Sequence, residues 1–185
     1  MSDIKERLDA LKREIQKLEF LEGKGLSNEV NIHIFAYDAS EEMTVRHFVQ
    51  MLKTDQSLNC RLIEQNLYQI FLKICDDLDI TEAIPEMEEA DGGQNLLNEL
   101  HTTISKTEFI EKMQYNPHVE GDVLMLTGVG DVFPFMRVHV LLEAMQPYFS
   151  DIPILIFYPG TFDGYHLKLF SRLQPNDYYR AFKLK

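Results

Sequence analysis

The chain has 185 residues, 45% of them apolar, and a formal charge of −12. This suits one domain with a real core and argues against global disorder. No apolar run approaches the roughly 20 residues of a membrane span, and the charged amino-terminal stretch has no signal-peptide core, so a soluble, cytoplasmic protein is expected. The acidic balance disfavours sequence-independent nucleic-acid binding by the chain alone.

The charge is uneven. Asp76–Glu99 holds nine carboxylates and no Lys or Arg, whereas Tyr165 to the end holds five cations and one Asp. Such polarity favours a protein partner with a complementary patch, or is simply a solvated surface. Cys60 and Cys75 lack CxxC spacing and read as buried, reduced thiols.

In chain order, Ile4, Leu8, Leu11, Ile15 and Leu18 recur at helical spacing and predict a helix over Ser2–Glu19 packed on its own domain. Phe20–Ser27, with two glycines, reads as a loop. Val30–Tyr37 is rich in β-branched and aromatic residues and predicts the first strand, with His33 packed inside it. A helix comes next over Glu41–Lys53, with Met43, His47, Phe48, Met51 and Leu52 able to form one side, and Asp38 or Ser40 as its cap. Asn59–Gln65 is the second strand and Leu67–Leu78 the next helix. Helical pieces over Thr81–Ala90, Leu96–Ile104 and Thr107–Tyr115 complete an acidic excursion at about 67–116.

The short apolar run Val123–Leu126 predicts a strand over Asp122–Leu126 buried on both faces. Thr127-Gly128-Val129-Gly130 breaks it, Asp131 can cap the next helix, and Val132–Tyr148 reads as that helix with Pro134 in its first turn. Ile152–Tyr158 repeats the design, with PGTFDG leading into a helix over Phe162–Leu173. Tyr178–Leu184 alternates and predicts the closing strand. The expected fold is α/β: a single domain built as a three-layer sandwich, its mostly parallel sheet of about five strands resembling a P-loop-type fold without the P-loop.

Parallel strands would place Asp38, Thr127–Asp131 and Pro159–Asp163 on one sheet edge, where α/β proteins usually bind ligands or partners. The first strand exits into YDASEEMTVR, with no glycine to approach a phosphate and two glutamates to repel one. Candidate acids are Asp38, Asp131 and Asp163, candidate bases His139 and His166, and candidate anion receivers Arg137 and Arg172. They form no recognisable catalytic set: His139 lies about two turns beyond Asp131, and no GxSxG or HExxH occurs. Gly128, Gly130, Gly160 and Gly164 permit close backbone approach and could hold an anion. If exposed together, Phe133, Phe135, Tyr158, Phe162 and Tyr165 would centre a protein interface. A third option is a nucleic-acid contact through Lys168, Arg172, Arg180, Lys183 and Lys185.

Five segments together resemble the BrxB family: KLEFLEGKGLSNEV, NIHIFAYD, LTGVGDVFPFMRVHVLLEAMQP, PILIFYPGTFDGYHLKLFSRL and NDYYRAFKL. BrxB is a small component of BREX, a bacterial anti-phage defence system. The likeness is collinear from about Leu18 to Leu184. TGVGDVFPF and FYPGTFDG are its specific parts, and the acidic middle is not. It implies an accessory, non-enzymatic protein without a cofactor, beside an ATPase, a methyltransferase and the alkaline-phosphatase-like PglZ, the first partner to test. The candidate surface for a partner or ligand comprises Asp38, Thr127, Gly128, Gly130, Asp131, Phe133, Arg137, Pro159, Gly160, Thr161, Phe162, Asp163 and Tyr165. The alternative is a small nucleotide- or phosphate-binding enzyme using the glycine turns after strands three and four.

Overall fold

The computed structural model describes residues 4–23, 31–178 and 180–184. Ser2, the glycine-bearing stretch 24–27, Val30, Tyr179 and Lys185 lie outside the described residues, and the expectations for those positions lie outside them too.

The apolar runs become strands because alternate side chains bury on opposite faces. Helices α1 (Ile4–Glu14) and α2 (Leu18–Glu22) precede β1 (Ile32–Tyr37). Then come α3 (Glu42–Thr54), β2 (Arg61–Asn66), α4 (Leu67–Asp77), α5 (Ile84–Asp91), α6 (Gly93–Thr103) and α7 (Lys106–Met113). The chain continues through β3 (Asp122–Thr127), α8 (Val129–Val132), α9 (Val138–Met145), β4 (Ile154–Phe162), β5 (His166–Leu169), β6 (Asn176–Asp177) and β7 (Phe182–Lys183).

The main sheet runs β2-β3-β4-β1-β7, every neighbouring pair parallel. Phe35, Tyr37, Val123, Met125, Leu155 and Phe157 face a layer made by α1, α2 and α3. Ile32, Ile34, Leu124, Leu126, Ile154, Ile156 and Tyr158 face the other layer, from α4, α6, α7, α8 and α9. The three-layer α/β sandwich is therefore as expected. β5 pairs antiparallel with β4 and β6 off the main path.

Five local expectations change. The first helix breaks after Glu14, with Lys17 extended, and both Ile15 and Phe20 are buried. On α3 the inward stripe is Val45, Val49 and Leu52 with Phe48 beside it, leaving Met43 73% and Met51 59% exposed. The β-branched pair offers a more apolar stripe at the same spacing. The long helix predicted from Val132 is two pieces. Because α8 already starts at Val129, Pro134 would fall in a helix interior, where it removes a donor and clashes with the preceding turn. The helix predicted over Phe162–Leu173 is a β-hairpin, and among the described residues of the closing strand Phe182 and Lys183 pair with β1, with Leu184 N donating to the Ile34 carbonyl.

Candidate functional site

The strand register brings the turns to one edge. Asn66 lies beside Thr127, and Tyr37 beside Pro159. Between α3 and this edge is a cleft of about 180 Å³, with Tyr37, Glu42, Arg46, Glu64, Asn66, Thr127 and Gly128 around it and Val45, Val49 and Phe157 beneath. Its polar groups engage one another. The Tyr37 hydroxyl donates to Glu42 Oε2 at 2.7 Å. Arg46 Nε donates to Glu42 Oε1 at 2.7 Å, and its Nη2 donates to Asp131. Thr127 Oγ1 donates to Glu64 Oε1 at 2.7 Å, while Lys53 pairs with the other oxygen. Burial, then the Glu42 carboxylate, pushes the Tyr37 phenol well above its ordinary range. Glu42 and then Asp131 hold the Arg46 guanidinium firmly charged.

Asn66 sits before the helix-forming run LYQIF and caps α4, its Oδ1 accepting from the N–H groups of Tyr68 and Gln69 at 3.1 Å each. Gly128 lies against this cap with φ +69°, and a Cβ there would fall 2.5 Å from Asn66 Oδ1. The TGVGD turn is thus shaped by a close packing contact. The succeeding helix, α8, has four residues, its first position preceded by Gly128 rather than capped by Asp131. Asp131 instead reaches α3. That ion pair joins residues far apart in sequence, and no local pattern announces it. Beside the strand exit that singles out Thr127 and Asp131, the Glu42–Arg46 spacing of four on a helix is the signal the sequence carries for this cluster.

The second glycine stretch does something else. β4 continues through Pro159 and Gly160 to Phe162, then returns as β5. A Cβ on Gly160 would lie 2.3 Å from the Lys168 carbonyl oxygen, so the two strands touch backbone to backbone there. Asp163 fixes the hairpin end by accepting from the N–H groups of Tyr165 and His166 at 2.8 and 2.7 Å, and it pairs with His166 Nδ1 at 3.0 Å. These bonds hold the Asp163 carboxyl far below the usual range and raise the His166 imidazole.

The predicted aromatic patch therefore does not form a common surface. Tyr158 and Phe162 are core residues, Phe135 stacks on Phe71 at 4.3 Å, and Phe133 packs edge-on to Phe170 under Arg137. Tyr165 at the hairpin is 67% exposed. Among the remaining candidates, Pro159 and Gly160 are buried, and Thr127 is buried with Glu64. Gly130 is half-buried against Phe170 and Pro159. Asp38, Asp131, Arg137, Thr161 and Asp163 are exposed. Asp38 accepts from Ser40 N and Oγ at 2.9 and 2.6 Å, which lowers its pKa. His139 is held down chiefly by burial and pairs with none of the candidate acids.

Among the nucleic-acid candidates, Lys168 is half-buried in β5 and Lys183 lies in β7. Arg180 reaches Gln146 Oε1 at 3.2 Å, and Arg172 is exposed. His33 is packed as expected, between Phe20 and Phe182, with Nε2 2.5 Å from Asn31 Oδ1. Its burial lowers the imidazole pKa to about 4.

A larger cavity, about 460 Å³, lies at the opposite edge between Gly23, Asn31, His118, Glu120 and Asp151. Beside it Asp122, 1% exposed, takes both Arg61 Nε and Nη2 at 2.6 and 2.7 Å, Tyr115 Oη at 2.9 Å and Val119 N at 3.0 Å. This is a structural clasp joining β2, β3 and the segment after α7. Among the described residues, no group of three or more His, Cys, Asp or Glu is placed to hold a metal ion, and no helix is long and apolar enough to cross a membrane.

Comparison with known proteins adds a family. A family model described as "BREX protein BrxB" matches residues 63–184. A protein of the same description from Bacillus cereus (strain H3081.97) is 37% identical over 100% of this chain and 98% of its own length. One from Escherichia coli O9:H4 (strain HS) is 28% identical over 96% of this chain and 90% of its own. No solved structure gives a significant match.

Proposed function

The chain belongs to the BrxB family of BREX proteins, and on that premise we propose that it is a non-catalytic docking subunit of a BREX anti-phage system. Its expected partner is a larger component, PglZ first. One observation carries this reading. At the carboxyl edge, where α/β proteins usually keep their reactive groups, Tyr37, Glu42, Arg46, Asp131, Glu64 and Thr127 are engaged with one another. A general base works best with its charge unanswered, whereas here Glu42 is paired with Arg46 and Tyr37, Asp131 with Arg46, and Glu64 with Lys53 and Thr127. A cluster bonded this way instead fixes the relative positions of α3, β2, β3 and α8, as a rigid recognition surface requires.

The rival, a nucleotide- or phosphate-binding enzyme, needed two strand-to-helix glycine turns. Gly160 lies within a strand facing β5, and the helix after Gly128 is one turn long. Both features weaken it. Tagged chain should co-purify with PglZ or another BREX component at micromolar concentration, and failure to retain any component would refute the docking role. A thermal shift with ATP or GTP and Mg²⁺ at millimolar concentration would revive the rival, since a ligand of the native state raises its stability.

A further inference from the structure

The acidic helical flank has a surface that the carboxyl edge does not explain. A groove of about 440 Å³ lies along α5 and α6, lined by Ile80, Met87 and the largely buried Leu100 together with Asn98, Glu99, Thr102 and Thr103. Leu78, two residues before Ile80, is 41% exposed. α5 touches the core through Ile84 and Met87, its two half-buried residues, while its other side chains are exposed. Within Asp76–Glu99 there are nine carboxylates and no cation. Of those nine, Asp77 alone makes an ion pair among the described residues, with Lys112.

From this juxtaposition we infer that the α5–α6 groove docks a basic amphipathic helical segment of a protein partner. The inference rests on the docking role proposed above and assigns it a surface. Apolar side chains of such a segment, spaced i, i+3 or i+4, enter the groove beside Ile80 and Met87 while flanking Lys or Arg meet the carboxylates. The unbranched Met87 side chain adapts to different apolar shapes. Charge selects the occupant. A second copy of this chain carries −12 overall, and the described part of its own cationic stretch after Tyr165 holds strands and no helix, whereas a basic helical segment matches both the groove and the carboxylates.

The test uses the full chain and a fluorescein-labelled peptide of Leu and Lys about 18 residues long, its leucines at helical spacing. A scrambled peptide of the same composition is the control, and anisotropy is read at about 150 mM salt. The helical peptide should bind at least tenfold more tightly than the scrambled one. Met87→Gln and the double variant Glu86→Lys/Glu99→Lys should each weaken it at least tenfold, while Glu111→Lys/Glu143→Lys, an equal charge change elsewhere, should not. Circular dichroism checks that each variant is folded, and further apolar or charge substitutions in the groove replace any that is not. Absent binding, equal binding of both peptides, or equal loss in the two double variants would overturn the inference. So would self-association of the wild type abolished by Glu86→Lys/Glu99→Lys. Co-purification separates the two claims. Wild-type chain that retains no BREX component defeats the docking role, whereas wild-type and groove variants that retain one equally defeat only this groove.

Discussion

Replacing Gly128 by Ala probes how the TGVGD turn is built. At φ +69° an L side chain sits in the left-handed region, which costs about 1 kcal/mol relative to glycine. The new Cβ would also lie 2.5 Å from Asn66 Oδ1, too close to stand, so Asn66 must rotate away from the N–H groups of Tyr68 and Gln69. Loss of a helix cap costs about 1 kcal/mol more. The single variant should therefore lose about 2 kcal/mol, and Asn66→Ala alone about 1 kcal/mol. In the double variant the cap is lost only once and the clash is gone, so the cost should stay near 2 kcal/mol instead of reaching about 3. Urea denaturation of the four proteins measures this, each kcal/mol lowering the midpoint by roughly 0.5 M. Strict additivity, within about 0.5 kcal/mol, would show that Gly128 and Asn66 are not coupled and would refute the packing argument.

Asp122→Asn should cost about 2 kcal/mol at neutral pH, because lowering the carboxyl from 3.8 to about 2 is worth that much. A depressed carboxyl stabilises the fold above its unfolded value and loses that contribution as pH falls from 3.8 toward 2, so the gap between wild type and variant should narrow on acidification. A gap that stays constant in denaturation curves from pH 7 to pH 3 would contradict the clasp. Gly160→Ala should destabilise by about 3 kcal/mol, since a backbone oxygen at the Cβ position can move only by parting β4 from β5. Amide hydrogen exchange should then rise first in that hairpin. His166 should titrate above its ordinary 6.5 in the wild type and fall toward it in Asp163→Asn, as followed by its ring proton shifts in NMR.

The buried strands were legible because a parallel sheet under two helical layers demands continuous apolar runs, and DVLML and ILIFY are such runs. The β4–β5 hairpin was not. HLKL buries Leu167 and Leu169 in alternation, but four residues are too few to outweigh a helical reading of HLKLFSRL. Backbone contact at Gly160 leaves no side-chain signal. On α3 two stripes were available, and only packing against Phe35 and Phe157 selects Val45 and Val49 over Met43 and Met51. The candidate site was legible at its turns and illegible between them. Asp38, Thr127 and Pro159 come directly from strand exits, whereas Arg46 meets Asp131 only once α3 and α8 have been folded across the same edge.

The strand order also dictates a schedule. β1 precedes the other strands in the chain, yet it is flanked in the sheet by β4 and β7, which are synthesised after β2 and β3. Until Ile154 and the residues after it emerge, both hydrogen-bonding edges of IHIFAY stand open, and β2 and β3 can pair with each other but not with it. An uncharged strand with open edges is a template for mispairing between nascent chains. α1 and α3, which pack on the Phe35 and Tyr37 face, can shelter its side chains but not its backbone. Interrupted synthesis before β4 therefore leaves an apolar strand of the central sheet without its neighbours.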